Sequence, residues 1–157
     1  MEKVIDSFSI EDNIIQIRLV NVPKHPRYIA RIFEILADSK VNLDMISQVM
    51  TEDLMHLELT CDDKYQKELN QAIVSLKDEF ADIEVALSKK YFKMAVGGRA
   101  MEDTPGAAAK IFSILGDNNI HFYQVSTSKR TVSFVIDKEN KQLAIQKIQE
   151  AFNMEEK

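Results

Sequence analysis

The chain contains one segment twice, and that repeat limits the folds open to it more than any other feature. Pro26-Arg27-Tyr28-Ile29-Ala30-Arg31-Ile32-Phe33-Glu34-Ile35-Leu36-Ala37-Asp38 lies over Pro105-Gly106-Ala107-Ala108-Ala109-Lys110-Ile111-Phe112-Ser113-Ile114-Leu115-Gly116-Asp117 without a gap. The offset is 79 positions, and Pro, Ala, Ile, Phe, Ile, Leu and Asp coincide. The register runs on through Val41 to Ser47 over Ile120 to Ser126, where apolar positions match and Ser47 meets Ser126. Such self-similarity means two copies of one supersecondary unit.

The first copy shows its order of elements in its periodicities. Ile15, Ile17 and Leu19 alternate with Gln16 and Arg18 as in a strand with one buried face. From Tyr28 to Ser39, Ile29, Ile32, Phe33 and Leu36 form one stripe of an amphipathic helix. A strand is predicted over Val41 to Val49, a turn at Thr51-Glu52-Asp53 and a strand over Leu54 to Cys61. Tyr65, Leu69, Ile73 and Leu76 recur at helical spacing, and Ile83, Val85 and Leu87 alternate again. The order is β-α-β-β-α-β. The second copy predicts a strand over Phe92 to Val96, a helix over Gly106 to Gly116, strands over His121 to Thr127 and Thr131 to Ile136, and a helix over Lys141 to Phe152 carrying Leu143, Ala144, Ile148 and Phe152 on one face. Too little chain follows to supply its last strand. The alternating run Val4 to Ile10 is the expected donor, which places the first unit at residues 13–88 and the second at 4–10 plus 89–153.

Composition narrows the function. Twenty Lys and Arg against 25 Asp and Glu give a net charge of -5, which repels a polyphosphate backbone, so no nucleic-acid partner is expected. The doublets Lys89-Lys90 and Lys129-Arg130 lack interleaved aromatics and read as solvated. No apolar run approaches the roughly 20 residues that span a bilayer, and the start lacks the features of a secretory signal. No membrane association is expected. The single Cys61 agrees with a reducing compartment, and the expected location is the cytoplasm.

Catalytic chemistry leaves little trace. His25, His56 and His121 fall in separate segments without metal-ligand spacing, and no metal or other cofactor is expected. Cys61 reads as a small core residue. Gly97-Gly98 lacks the P-loop pattern and is explained by backbone freedom. Thr104-Pro105-Gly106 reads as a helix start with Thr104 as cap, whose free N–H groups could receive a ligand carboxylate. Met45, Phe33, Phe112 and Phe122 read as packing residues.

The run Met101 to Phe112, with Ser126-Thr127-Ser128 and Ala151-Phe152, resembles the regulatory region of aspartate kinases, and Val41-Asn42-Leu43-Asp44-Met45-Ile46-Ser47-Gln48 resembles its first ACT unit. The resemblance spans about Val4 to Phe152. It implies an α+β, ferredoxin-like pair of ACT domains with antiparallel sheets, helices on one face and the N-terminal strand completing the second unit. It further implies a non-catalytic regulatory module that pairs side by side as a homodimer and binds lysine, threonine or a related amino acid. A kinase catalytic subunit or domain would be its partner. The implied effector contacts are Val22, Lys24, His25, Pro26 and Ile29 with Asn42, Leu43, Asp44 and Gln48, and His121 and Phe122 from the facing unit. The simplest strand geometry puts Asp44 and Gln48, four residues apart, on one side.

Three departures from the family pattern bear on this. Lys24-His25-Pro26-Arg27 stands where Asp-x-Pro-Gly is usual, His121 stands for Asn, and Lys129 for Glu. They imply weak binding of the usual effector, or a different, acidic one. The competing reading is an assembly protein with an ACT-like fold that pairs chains without a ligand. The chain reads as a free-standing regulator or small subunit, or as the tail of a longer enzyme.

Overall fold

The structure, a computed structural model, describes residues 4–154. In chain order the elements are β1 (Ser7–Glu11), β2 (Ile14–Pro23), α1 (Pro26–Asp38), β3 (Leu43–Met50), β4 (Leu54–Asp62), α2 (Gln66–Glu79), β5 (Glu84–Ser88), β6 (Tyr91–Gly97), α3 (Ala107–Asp117), β7 (Phe122–Thr127), β8 (Thr131–Asp137) and α4 (Lys141–Phe152). They form two compact units. One, the inserted unit, spans Asn13–Lys89; the other, the split unit, joins the segment up to Asp12 with the segment from Lys90 onward.

The inserted unit has the antiparallel sheet order β3-β4-β2-β5. Ile32, Ile35 and Leu36 of α1 and Leu69, Ala72 and Leu76 of α2 are buried against Ile15, Ile17 and Leu19 of β2 and Leu57, Leu59 and Cys61 of β4. These are the residues whose spacing predicts the elements, with the helical stripe and the strand alternation meeting in one core. Arg31 of α1 ties down α2 through a two-bonded contact to Glu79, at 2.7 and 3.0 Å. That contact holds the Glu79 carboxyl below the usual carboxylate range.

The split unit repeats the plan with sheet order β1-β6-β8-β7. Its edge strand β1 comes from the far end of the chain and pairs antiparallel with β6, Ser7 opposite Gly97 and Glu11 opposite Lys93. The strand runs Ser7–Glu11 rather than the predicted Val4 to Ile10. Ile5, just ahead of it, is fully buried in the core with Phe92, Met94, Phe134 and Ile148.

Several local expectations are corrected. Gly97 and Gly98 are required by close packing, not by backbone freedom. A Cβ on Gly97 would lie 2.4 Å from the Arg130 carbonyl, and one on Gly98 2.2 Å from the Val4 carbonyl. Gly98 is itself extended. Thr104 does not cap α3, because its hydroxyl donates to the Ala100 carbonyl at 2.7 Å and the cap position falls to Gly106. Phe122 and Leu143 are 40% and 36% exposed, outside the core expected of them. Lys129 and Arg130 are exposed as expected, and both also reach the Glu102 carboxylate, at 3.8 and 3.1 Å.

Candidate functional site

The helix start of the inserted unit is built from the loop residues themselves. Pro26 occupies the first helical position, where its missing N–H costs nothing and its fixed φ suits the helix. His25 takes the cap position in extended conformation, and its Nδ1 accepts a hydrogen bond from the Arg27 N–H at 3.0 Å. An imidazole thus occupies a helix-terminal amide that a short polar side chain more often takes. Lys24 donates through Nζ to the Thr51 carbonyl at 3.3 Å, linking this loop to the turn between β3 and β4. Arg27 is held by Glu34 at 2.8 Å. Among the described residues Lys24 has no carboxylate partner, so the loop presents a cation beside the positive end of a helix.

Across from this loop β3 is not regular. Leu43 pairs with Cys61 and Ile46 with Leu59, so three residues of β3 span two of β4. The extra residue is a bulge at Asp44-Met45, opposite Thr60. Met45 N–H donates to the Thr60 hydroxyl at 3.0 Å, and both residues are buried. Cross-strand partners share a face. Gln48 pairs with Leu57, on the helix side, while Met45 is buried outside the helix-side core. The bulge shifts the alternation by one. The four-residue spacing therefore does not put Asp44 and Gln48 on one side, contrary to the expectation.

The rest of the predicted set is distributed as follows. Val22 is fully buried in the core, so its side chain is closed to a ligand. Ile29 and Leu43 are half-buried, and Lys24, His25, Pro26, Asn42, Asp44 and Gln48 are exposed. These residues occupy two segments of one unit, the start of α1 and the approach to β3. His121 and Phe122 belong to the split unit, at the start of β7, and both are exposed. Two hollows adjoin the corresponding loops. One of about 480 Å³ in the split unit lies by Thr104, Gly106 and Lys110, and one of about 650 Å³ in the inserted unit by Asn21, Leu54 and Asp82. Neither is lined by Asn42, Asp44 or Gln48.

Other candidate groups are placed by their surroundings. Burial pushes the Cys61 thiol up to about 11, which keeps it protonated and unreactive at neutral pH. Tyr123 donates to Asp137 at 2.8 Å, and that bond, with burial, pushes its phenol up to about 12. Among the described residues no cluster of His, Cys, Asp and Glu could hold a metal ion. No helix is long and apolar enough to cross a membrane.

Residues 94–152 match the ACT domain family profile. An aspartokinase of Geobacillus stearothermophilus is 27% identical over 154 residues, covering 98% of this chain and 37% of its own length. The regulatory subunit of aspartate kinase from Thermus thermophilus superposes with a TM-score of 0.86 at 23% identity, covering 94% of this chain and 99% of that one. A chain of the aspartokinase α and β subunit structure superposes equally, at 0.86 and 25% identity, with 96% and 99% covered. Over nearly its whole length the chain is similar to the tandem ACT-domain regulatory regions of aspartate kinases, and its second unit matches the ACT family directly. It spans little more than a third of the length of the curated aspartokinase it matches, but nearly the whole of the regulatory subunit. Both ACT units carry the ferredoxin-like fold, and the implied effector residues fall at the start of α1, in and just before β3, and at the start of β7.

Sequence reasoning missed Thr60, whose hydroxyl accepts from the Met45 N–H at the bulge, and Thr51, whose carbonyl accepts from Lys24. A signal for the first was present. Val41, Leu43 and Met45 alternate, then Ile46 breaks the period, which is the mark of one extra residue in a strand.

Proposed function

We propose that this chain is the amino-acid-sensing, non-catalytic part of an aspartate kinase system in the cytoplasm, binding lysine, threonine or a related amino acid. The observation that supports this best is the match over both ACT units to a protein that is itself a regulatory subunit. In this reading the inserted unit supplies the loop Lys24 to Ile29, with Val22 through its backbone, and the segment Asn42 to Gln48. His121 and Phe122 would come from a facing unit. The free-amide end of α1 and Lys24 suit a ligand carboxylate, and Asp44 suits its ammonium group. Edge strand β3 of the inserted unit exposes Ile46, Val49 and Met50, and edge strand β7 of the split unit exposes Phe122, Tyr123 and Val125; each edge by itself suits pairing with a second copy. A kinase catalytic subunit or domain is the downstream partner.

One observation favours the rival reading, an assembly protein without a ligand: His25 already occupies the Arg27 amide that a carboxylate would use. A thermal-shift screen of the twenty amino acids separates the two. A ligand at one hundred times its dissociation constant adds about 2.7 kcal/mol, so a clear rise for one amino acid supports sensing, and a flat screen with the dimer retained supports assembly. For an amino acid that binds, Asp44→Asn is expected to weaken it by about 1–3 kcal/mol by calorimetry.

A further inference from the structure

We propose that the split unit holds a second ligand site, apart from the implied effector residues: the hollow between the start of α3 and the end of α4, which takes a small carboxylate with an apolar body and no amino group. Its volume is about 480 Å³, within the range of small-molecule sites. Val4 and Ile5 ahead of β1, Ala107 and Lys110 of α3, and Ala151 and Phe152 of α4 form its walls. None of the implied effector contacts lines it.

The repeat shows that the shared fold does not impose this opening. At the offset of 79 positions Ala107 stands for Tyr28 and Lys110 for Arg31. In the inserted unit those two side chains bridge the helices. The Tyr28 ring packs edge-on against Phe80, with centroids 5.9 Å apart, and Arg31 donates to Glu79 at 2.7 Å. In the split unit a methyl group replaces the phenol, and the Lys110 ammonium lies 4.9 Å from the centroid of the Phe152 ring. One backbone corner is therefore bridged in the first copy and open in the second. Gly106, where the first copy has Arg27, leaves further room, since a Cβ there would meet nothing within 4 Å.

The walls select the ligand. Val4, Ile5, Ala107, Ala151 and Phe152 offer apolar surface that an apolar body removes from water. Among the described residues Lys110 is the one charged group of the lining, and it makes no ion pair. Its contact with the Phe152 ring leaves the positive charge in place. The first turn of α3 has no side-chain cap and adds positive potential on the same side. An anionic head group is favoured. An ammonium group would meet no carboxylate in the described lining, so an amino acid would lose hydration there without a return. That separates this ligand class from the amino-acid effector assigned to the inserted unit.

The test titrates the full chain with three probes that share one apolar body and differ in charge: 3-phenylpropionate, L-phenylalanine and 3-phenylpropylamine. Amide shifts are read by NMR. 3-Phenylpropionate is expected to move the amides of Ala107, Lys110 and Phe152 and to saturate at about millimolar concentration, as suits a ligand of its size. The other two probes should bind there several-fold more weakly. Lys110→Met, which keeps the side-chain stem over Phe152 and loses the charge, should weaken 3-phenylpropionate about fivefold, as for one partly exposed ion pair. Ala107→Tyr, which restores the side chain of the first copy, should abolish the saturable shifts. Shifts that never saturate, shifts confined to other parts of the chain, or an amine that binds as well as the acid overturn the proposal. So does unchanged affinity in Lys110→Met, a surface substitution that decides the matter even if Ala107→Tyr does not fold.

Discussion

The two ACT units share a backbone and differ in the chemistry that holds it. Each opens its first helix after a proline-bearing loop, but the inserted unit caps α1 with the His25 imidazole, whereas the split unit reaches α3 through Gly106 at φ 89 without a side-chain cap. Each ends that helix with a residue at positive φ, Lys40 at 66° and Asn119 at 54°. Each carries the bulge in its second strand, facing Thr60 in one and Val135 in the other. What the repeat preserves is φ, ψ and register. Side chains are free to change wherever another group can meet the same backbone requirement, and the changes gather at the loop and bulge where a ligand is proposed to bind.

The largest difference between the units is covalent. The inserted unit is one continuous segment, while the split unit needs a strand from the other end of its sequence. Removing residues 1–12 takes away β1 and Ile5 and leaves the β6 edge bare. The expected loss in the split unit exceeds about 3 kcal/mol, from one buried isoleucine alone, and the exposed edge should promote aggregation. Hydrogen exchange should show amide protection lost in β6 to β8 and kept in β2 to β5. A truncated chain of unchanged stability would show that β1 contributes nothing. Loss of both units together would show one cooperative core instead of two.

How much of this was legible depends on which physics was speaking. Helix stripes and strand alternation report burial, and burial made the cores: Ile32, Leu36, Leu57, Leu59 and Cys61 all lie where their spacing puts them. The implied loop and strand segments also lie on one unit. Close backbone approach was not legible, because Gly98 reads the same whether it supplies freedom or room for the Val4 carbonyl. Nor was Thr104, whose hydroxyl could accept from a helix N–H as a cap or donate to a carbonyl, and donates to Ala100. The bulge was visible as a broken period at Met45-Ile46. Its effect on Asp44 and Gln48 was not, since counting residues assumes a regular ladder.

A single cysteine sharpens the comparison by pH. Cys61 pairs with Leu43 as Ile136 pairs with Phe122, so the inserted unit carries a buried thiol where the split unit carries a hydrocarbon. Its pKa is raised by burial, first, and by Asp62 and Asp63, to about 11 from an ordinary 9.0. For an acid with a raised folded pKa the unfolded chain ionises first, so stability is full below about pH 9 and falls as pH rises toward about 11. The loss is at most about 2.7 kcal/mol. Wild type and Cys61→Ala should therefore converge in stability as pH rises through that window, in denaturant unfolding followed in the inserted unit. Parallel curves would mean that the thiol does not titrate with unfolding.

The smallest expected effect concerns the left-handed residue after each first helix. At Lys40 the N–H donates to the Ala37 carbonyl and the next N–H, of Val41, to Leu36; at Asn119 the same bonds run to Gly116 and, from Ile120, to Leu115. The geometry is therefore equal and only the side chain differs. A lysine Cβ is disfavoured in this conformation by about 1 kcal/mol, whereas asparagine tolerates it through its short polar side chain. Lys40→Asn should stabilise the inserted unit by about 0.5–1 kcal/mol, and Asn119→Lys should destabilise the split unit by a similar amount. Lys40 is exposed, so the exchange disturbs no core contact. Opposite signs of near-equal size, read as shifts in denaturant midpoint at constant m-value, would show that the units obey one backbone rule. Two changes of the same sign would mean that the side chains at these positions do something besides tolerate φ.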